Sequence, residues 1–230
     1  MGFESAGLVE HLSRRVTPRR LRRMRTVLAE RTRWITVVLE EIYQPHNASA
    51  VLRSCECFGV QEVHVVEERN EFRVSRDVAL GAARWLDLVR WQAGEGAAIG
   101  RCCDALAARG YRLVAATPAA DARSVDDFDP CRGPVAVLFG TELEGLTDEA
   151  LRRCPERLHV PMVGFTESLN ISVSAALVLR ELTRRVRRGA ADWRLGEKER
   201  EELLLRWLRA SINGSDEIVA RYRQQQGSGA

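Results

Sequence analysis

The chain predicts an α/β fold, a mostly parallel sheet covered by helices on both faces. Three observations carry this. From Trp34 to Gly189, short runs rich in Val and Ile alternate with segments of helical period. Glycines close the helical segments, at Gly59 and Gly110. Further glycines follow strand-like runs, at Gly140 and Gly164, where open α/β sheets bind their ligands.

In order, Thr17-Pro18 starts a helix with Pro18 at its first position. Arg19–Arg31 continues it, with Leu21, Met24 and Leu28 as an apolar stripe. Ile35–Leu39 reads as a strand, uncharged until Glu40. Ala48–Phe58 reads as a helix with Asn47 as its N-cap. Glu62–Val66 is a second strand, Val74–Leu80 a helical turn and Trp85–Val89 a short strand. Ala97–Arg109 is a helix, Tyr111–Thr117 a strand, Pro118–Pro130 a polar loop and Pro134–Phe139 a strand. Thr147–Arg153 is a short helix, Leu158–Met162 a strand and Ser168–Arg187 a long helix. Beyond Gly189, Gly196–Ala210 is an amphipathic helix with Leu203, Leu204, Trp207 and Leu208 on its apolar side. Ser215–Arg223 is another helix, and residues 224–230 form a disordered tail. The expected division is a basic helical extension over 1–33, a central domain over 34–189 and a helical extension with its tail over 190–230.

Composition narrows the function. The chain has 230 residues, ample for a large core. No apolar run nears the roughly 20 residues of a membrane span, and since the first residues hold no apolar stretch, no secretory signal is expected. The expectation is a cytoplasmic protein away from membranes. The six cysteines lack paired CxxC spacing and read as reduced thiols, with no metal expected. The net charge of +3 conceals an asymmetry: nine arginines and one carboxylate, Glu30, lie between Arg14 and Arg33, so the remainder is mildly acidic. A chain whose only lysine is Lys198 fits arginine's bidentate phosphate contacts and codon preference alike, but codon preference does not explain the clustering. A concentrated basic element implies an anionic partner, and nucleic acid is the usual one. Arg19, Arg20, Arg22, Arg23 and Arg25 are the candidate phosphate contacts, extended by Arg184 and Arg185.

Neither GxGxxG nor a Walker loop is present, which excludes the common nucleotide-binding fingerprints. Three other segments stand out: Asn47-Ala-Ser-Ala-Val-Leu-Arg53, Leu138-Phe-Gly-Thr-Glu-Leu-Glu-Gly145, and Val160-Pro-Met-Val-Gly-Phe-Thr-Glu-Ser-Leu-Asn-Ile-Ser172. In this order and spacing they resemble the three motifs of the SPOUT superfamily, and within it the SpoU/TrmH branch of RNA ribose 2′-O-methyltransferases. Tyr43-Gln-Pro-His-Asn47 and the charged C-terminal helices are similar to the TrmH group, which methylates guanosine 18 of the tRNA D-loop. The chain departs from the pattern at Gly81-Ala-Ala-Arg-Trp85, where relatives often carry a more polar stretch.

The resemblance implies a C-terminal deep trefoil knot, a homodimer and S-adenosylmethionine as methyl donor. By motif match, Thr117, Gly140, Val160, Met162, Ser168 and Leu169 would contact the cofactor. Arg53 would be the catalytic residue, with Asn47, Glu142, Ser168 and Asn170 shaping its surroundings. Two roles stay open for Arg53: a base, its proton drawn off with the help of a bound phosphate and its neighbours, or a charged group that stabilises the developing alkoxide; the second is favoured because a guanidinium is a poor base. His46 and His64 read as structural. The expected substrate is tRNA, most specifically guanosine 18. The alternatives are ribosomal RNA, another tRNA position, or a non-catalytic RNA-binding protein on the same scaffold.

Overall fold

A computed structural model describes residues 2–227. The chain forms two units, one spanning residues 32–193 and the other joining the two terminal segments, up to residue 31 and from 194 onward.

In the larger unit, β1 (Ile35–Glu40), α3 (Pro45–Phe58), β2 (Glu62–Glu67), α4 (Arg76–Ala79), β3 (Asp87–Gln92), α5 (Ala98–Ala108) and β4 (Arg112–Ala116) follow one another. Then come β5 (Arg123–Ser124), β6 (Val135–Phe139), α6 (Asp148–Arg153), β7 (Glu156–His159) and α7 (Ile171–Arg188). The seven strands form one sheet in the order β3-β2-β1-β6-β4-β7-β5, every pair parallel. β1 is buried along its whole length, with Val37 paired to Val63 on one side and to Val137 on the other. Apolar runs such as Val135–Phe139 are therefore continuous rather than alternating, as a strand covered on both faces requires. Val51, Leu52 and Cys55 of α3 pack with Ala175, Val178 and Leu182 of α7 in one core layer. Ile99, Cys102 and Leu106 of α5 pack with Leu138 and Ala150 in the other.

In the smaller unit, α1 (Gly2–Ser13), α2 (Pro18–Ala29), α8 (Glu197–Ser211) and α9 (Ser215–Gly227) come together. Thr17 caps α2 by accepting from the Arg20 amide at 3.2 Å, and Met24 and Leu28 are buried as expected. So are Leu203, Leu204, Trp207 and Leu208 of α8. Burial of Arg31 is a departure: its guanidinium stacks over the Trp207 ring at 5.4 Å and is withdrawn from the basic surface.

Several expectations are corrected. α3 begins at Pro45, so Asn47 lies inside its first turn, and Gln44 occupies the cap. β7 ends at His159, because its register against β4 pairs Val114 with Glu156 and Ala116 with Leu158. Pro161 lacks the amide to extend it, so Val160 and Met162 lie in a loop. α7 begins at Ile171, which leaves Ser168 in that loop too. The polar 118–130 segment contains β5. α1 was not anticipated; among its residues of described burial, Leu8 and Leu12 are strongly buried. The expected tail is helical through Gly227, and residues 228–230 lie outside the described residues.

Four of the six cysteines, Cys55, Cys102, Cys103 and Cys154, are buried, and all six are free thiols. Burial pushes Cys103 up to about 11 and Cys154 to about 12, so neither is a nucleophile near neutrality. His64 is buried between Glu62, 2.9 Å from Nε2, and the Trp91 indole N–H, 3.0 Å from Nδ1, and serves the structure. No helix among the described residues is long and apolar enough to cross a membrane.

Candidate active site

The carboxyl ends of β1, β6, β4 and β7 point to one side of the sheet, and the loops leaving them build two adjoining cavities. The larger, about 410 Å³, is lined by Thr117 after β4, the 139–146 turn after β6, and the 158–169 loop after β7. All six residues expected to hold a cofactor line it: Thr117, Gly140, Val160, Met162, Ser168 and Leu169. Its walls combine apolar side chains, among them Leu146, Leu158 and Val178, with loop backbone and the carboxylates of Glu142, Glu144 and Glu167.

The 140–145 turn is closed on itself. Thr141 and Gly145 exchange two backbone hydrogen bonds of 3.0 Å, and the Glu144 amide donates to Thr141 Oγ1 at 3.0 Å. A Cβ at Gly140 would stand 2.1 Å from the Gly145 carbonyl, so glycine is demanded there by the turn itself. At Gly164 an added Cβ would meet nothing within 4 Å.

The smaller cavity, about 290 Å³, is lined by Tyr43, Gln44, Asn47, Arg69, Asn70 and the 141–144 turn, together with Ile42 and Ile171. Thr141, Glu142, Leu143, Glu144 and Ile171 border both spaces. A polar chain ends on this shared wall: Glu142 borders both cavities, Gln44 and Asn47 line the smaller one, and Asn170 links them without lining either. Gln44 accepts from the Asn47 amide at 2.7 Å, and Asn47 Oδ1 accepts from Asn170 Nδ2 at 3.1 Å. The same Asn170 nitrogen donates to Glu142. Asn170 Oδ1 meanwhile caps α7, accepting from the Ser172 amide at 2.9 Å. Asn47, Glu142 and Asn170 are thus brought together across three segments of sequence. Ser168 lies in the larger cavity without joining the chain of hydrogen bonds described here.

Two adjacent acids at the end of β1 set the neighbouring loops, and sequence reasoning missed both. Glu40 is 2 % exposed; burial pushes its carboxyl up, while it accepts from the Thr147 amide at 2.9 Å and hydroxyl at 2.6 Å. That bond secures the far end of the 140–147 turn. Glu41 adopts a left-handed backbone with φ 59° and is equally buried. Its carboxylate accepts from the amides of Glu68, Arg69 and Asn70 at 2.7–3.2 Å and from Asn70 Nδ2 at 3.1 Å. Strain at a non-glycine residue of this kind is sustained only when its surroundings over-determine it. The signal available in the sequence was the abrupt pair of acids ending an uncharged strand.

Arg53 is exposed on α3 and lines neither cavity. One helical repeat of seven residues places it above His46, also exposed, and turned away from Asn47. In the smaller unit, Arg19, Arg20, Arg22, Arg23 and Arg25 are exposed, with Arg20 donating to Ser211 at 3.2 Å. Arg184 pairs with Glu181. Arg185 is committed to the chain itself, donating to the Asp126 carbonyl at 2.8 Å and the Phe128 carbonyl at 2.6 Å.

Comparison with known proteins agrees with this arrangement. A family model described as the SpoU rRNA Methylase family matches residues 34–180. A tRNA (guanosine(18)-2′-O)-methyltransferase of Borreliella burgdorferi is 36% identical over 201 residues, covering 87% of this chain and 89% of that protein. The enzyme of the same name from Thermus thermophilus is 36% identical over 196 residues, 84% of this chain and 97% of the other. The crystal structure of the A. aeolicus TrmH/SpoU tRNA modifying enzyme superposes with a TM-score of 0.74 at 23% identity, covering 84% of this chain and 97% of that one. With the family model spanning most of the sheet and both cavities, this chain belongs to the SpoU methylase family.

Proposed function

We propose that the protein transfers a methyl group from S-adenosylmethionine to the 2′-hydroxyl of guanosine 18 in the D-loop of tRNA. The observation that carries this reading is the pair of adjoining cavities: the larger is bounded by the loops after β4, β6 and β7, which carry all six of the expected cofactor contacts. The residues fit the donor. Val160, Met162 and Leu169 offer an apolar clasp for an adenine, and the 140–145 turn offers backbone groups. Glu142 and Glu144 give the wall a negative charge suited to a sulfonium. The bound donor supplies an activated methyl electrophile, so the protein's task is alignment and charge management.

The Asn47–Asn170–Glu142 chain stands where the acceptor hydroxyl would enter, and the Glu142 carboxylate is the group there able to accept its proton. Arg53, outside the cavities of its own chain, acts from a second copy as a positive partner for the developing alkoxide. The homodimer this requires is supported by the exposure of large apolar side chains in the loop after β7 and on α7, at Val163, Phe165, Val173 and Leu177. The threaded knot is supported by the path of α7: it packs on α3, while the 125–131 segment holds it through Arg185. Among the candidate RNA contacts, Arg19, Arg20, Arg22, Arg23 and Arg25 hold phosphates, and the exposed row supports that role. The substrate places the work in the cytoplasm.

The test is methyl transfer from labelled S-adenosylmethionine to a tRNA transcript, with the modified nucleotide mapped by mass spectrometry. Wild-type protein is expected to label guanosine 18, and Arg53→Ala to label it far more slowly. Binding of tRNA without transfer by the wild type would refute the enzymatic reading.

A further inference from the structure

We propose that the smaller cavity is the pocket for the base of the nucleotide being methylated, and that it recognises guanine through opposed charges on Arg69 and Glu144. This rests on the methyl-transfer reading above and extends it to the acceptor. The cavity, about 290 Å³, sits at the lower end of the range for small-molecule sites and adjoins the larger one along the polar wall. A nucleotide with its ribose at that wall has its base in this space and its hydroxyl facing the donor side.

The lining fits a purine that offers both donors and acceptors. RNA-modifying sites receive an unstacked base by stacking it on an aromatic ring and reading its edges. Tyr43 lines the cavity and is 47 % exposed, which leaves ring surface to stack on. Guanine presents O6 and N7 as acceptors, which an arginine matches, and N1–H and N2–H as adjacent donors, which a carboxylate matches. Arg69 and Glu144 both line the space and face each other at 3.3 Å in an exposed, weak ion pair that a base can replace. Adenine lacks the donor pair and presents an amino group to the arginine.

Glu41 is the positioning residue of this pocket. Its buried carboxylate spends its acceptor capacity on the amides of residues 68–70, and this fixes the backbone that carries Arg69 and Asn70.

The experiment measures methyl transfer to tRNA transcripts bearing guanosine, inosine or adenosine at the acceptor position, with S-adenosylmethionine binding followed by calorimetry. The wild type is expected to favour guanosine, with inosine, which lacks the N2 amino group, intermediate. Arg69→Ala and Glu144→Ala are each expected to lose about tenfold of the guanosine-to-adenosine preference, the size of one good base contact. The S-adenosylmethionine affinity of Arg69→Ala, whose side chain lies outside the donor cavity, is expected to stay within about twofold, whereas Glu144 borders both cavities and its variant is read by base preference alone. Glu41→Gln is expected to raise KM for tRNA more than it lowers kcat, again with donor affinity kept. Unchanged guanosine preference in both alanine variants, or a loss of donor affinity in Arg69→Ala that matches its loss of preference, would overturn the pocket. A wild type that transfers methyl to no transcript would instead end the methyl-transfer reading.

Discussion

Gly140→Ala tests the architecture of the site with one methyl group. The added Cβ would lie 2.1 Å from the carbonyl carbon and oxygen of Gly145 and 2.3 Å from the Leu146 nitrogen. These are backbone atoms more than an ångström inside ordinary contact, so no rotamer change relieves the clash. The turn must open, and the two 3.0 Å bonds between Thr141 and Gly145 are the ones that break. At about 1 kcal/mol net for each, the structural loss is roughly 2 kcal/mol. For a chain of this size that lowers Tm by roughly 4–8 °C. The larger effect falls on the donor, because the same turn walls both cavities; its affinity is expected to drop at least about tenfold, a cost of ~1.4 kcal/mol. Calorimetric titration with S-adenosylmethionine, paired with a thermal melt, reads both. Gly164→Ala is the control: its Cβ meets nothing within 4 Å, so its stability is expected to stay within about 0.5 kcal/mol of wild type. Wild-type donor affinity in Gly140→Ala would refute the idea that this turn shapes the cofactor wall.

Asn170→Ala removes both the α7 cap and the link from Asn47 to Glu142, and should cost about 1 kcal/mol of stability along with a fall in kcat. Asn170→Asp keeps the capping oxygen but sets a second carboxylate against Glu142, so it should recover only part of the melting temperature lost in Asn170→Ala while kcat still falls; equal kcat in both variants and wild type would count against the network. Acid should weaken the fold through Glu62: burial raises its carboxyl, but hydrogen bonds from His64 and Arg109 overcome that and hold it down at about 2. A carboxyl held below its unfolded value of 4.5 contributes stability above that pH and loses it as pH falls from 4.5 toward 2, about 3 kcal/mol in all. Denaturant melts across that window should be flatter in Glu62→Gln, and a parallel pH profile would contradict the assignment. The triple variant Arg19→Ala, Arg22→Ala, Arg23→Ala should bind tRNA more weakly, with a salt dependence shallower by about two units of slope; an unchanged slope would remove these arginines from the phosphate surface.

Local pattern alone announced most of the elements. Strand β6 is a run of five buried residues bounded by Pro134 and Gly140. Helix α8 shows its apolar side at Leu203, Leu204, Trp207 and Leu208, and helix α2 begins at a Thr-Pro pair. Such signals are legible because they depend on a residue's own conformational preference and on neighbours within a turn or two. The motif residues too could be picked out by number, since their spacing is carried in the chain.

Only the tertiary structure decided what those residues do to one another. Asn47 looked like a cap and is instead an internal partner of Asn170, 123 positions later, which holds the cap of another helix. The end of β7 was set by its pairing with β4, not by the apolar run that continues to Met162. Glu41 stood in the sequence as one acid among 32 carboxylates, yet it organises a cavity wall through bonds to residues 68–70. Arg185 looked like part of a basic surface and is bound to the carbonyls of the 125–128 segment. Each of these is a long-range contact, and its energy depends on which distant groups share a burial site with it. Periodicity records how a segment folds on itself; it carries nothing about the partner that the assembled sheet brings within hydrogen-bonding distance.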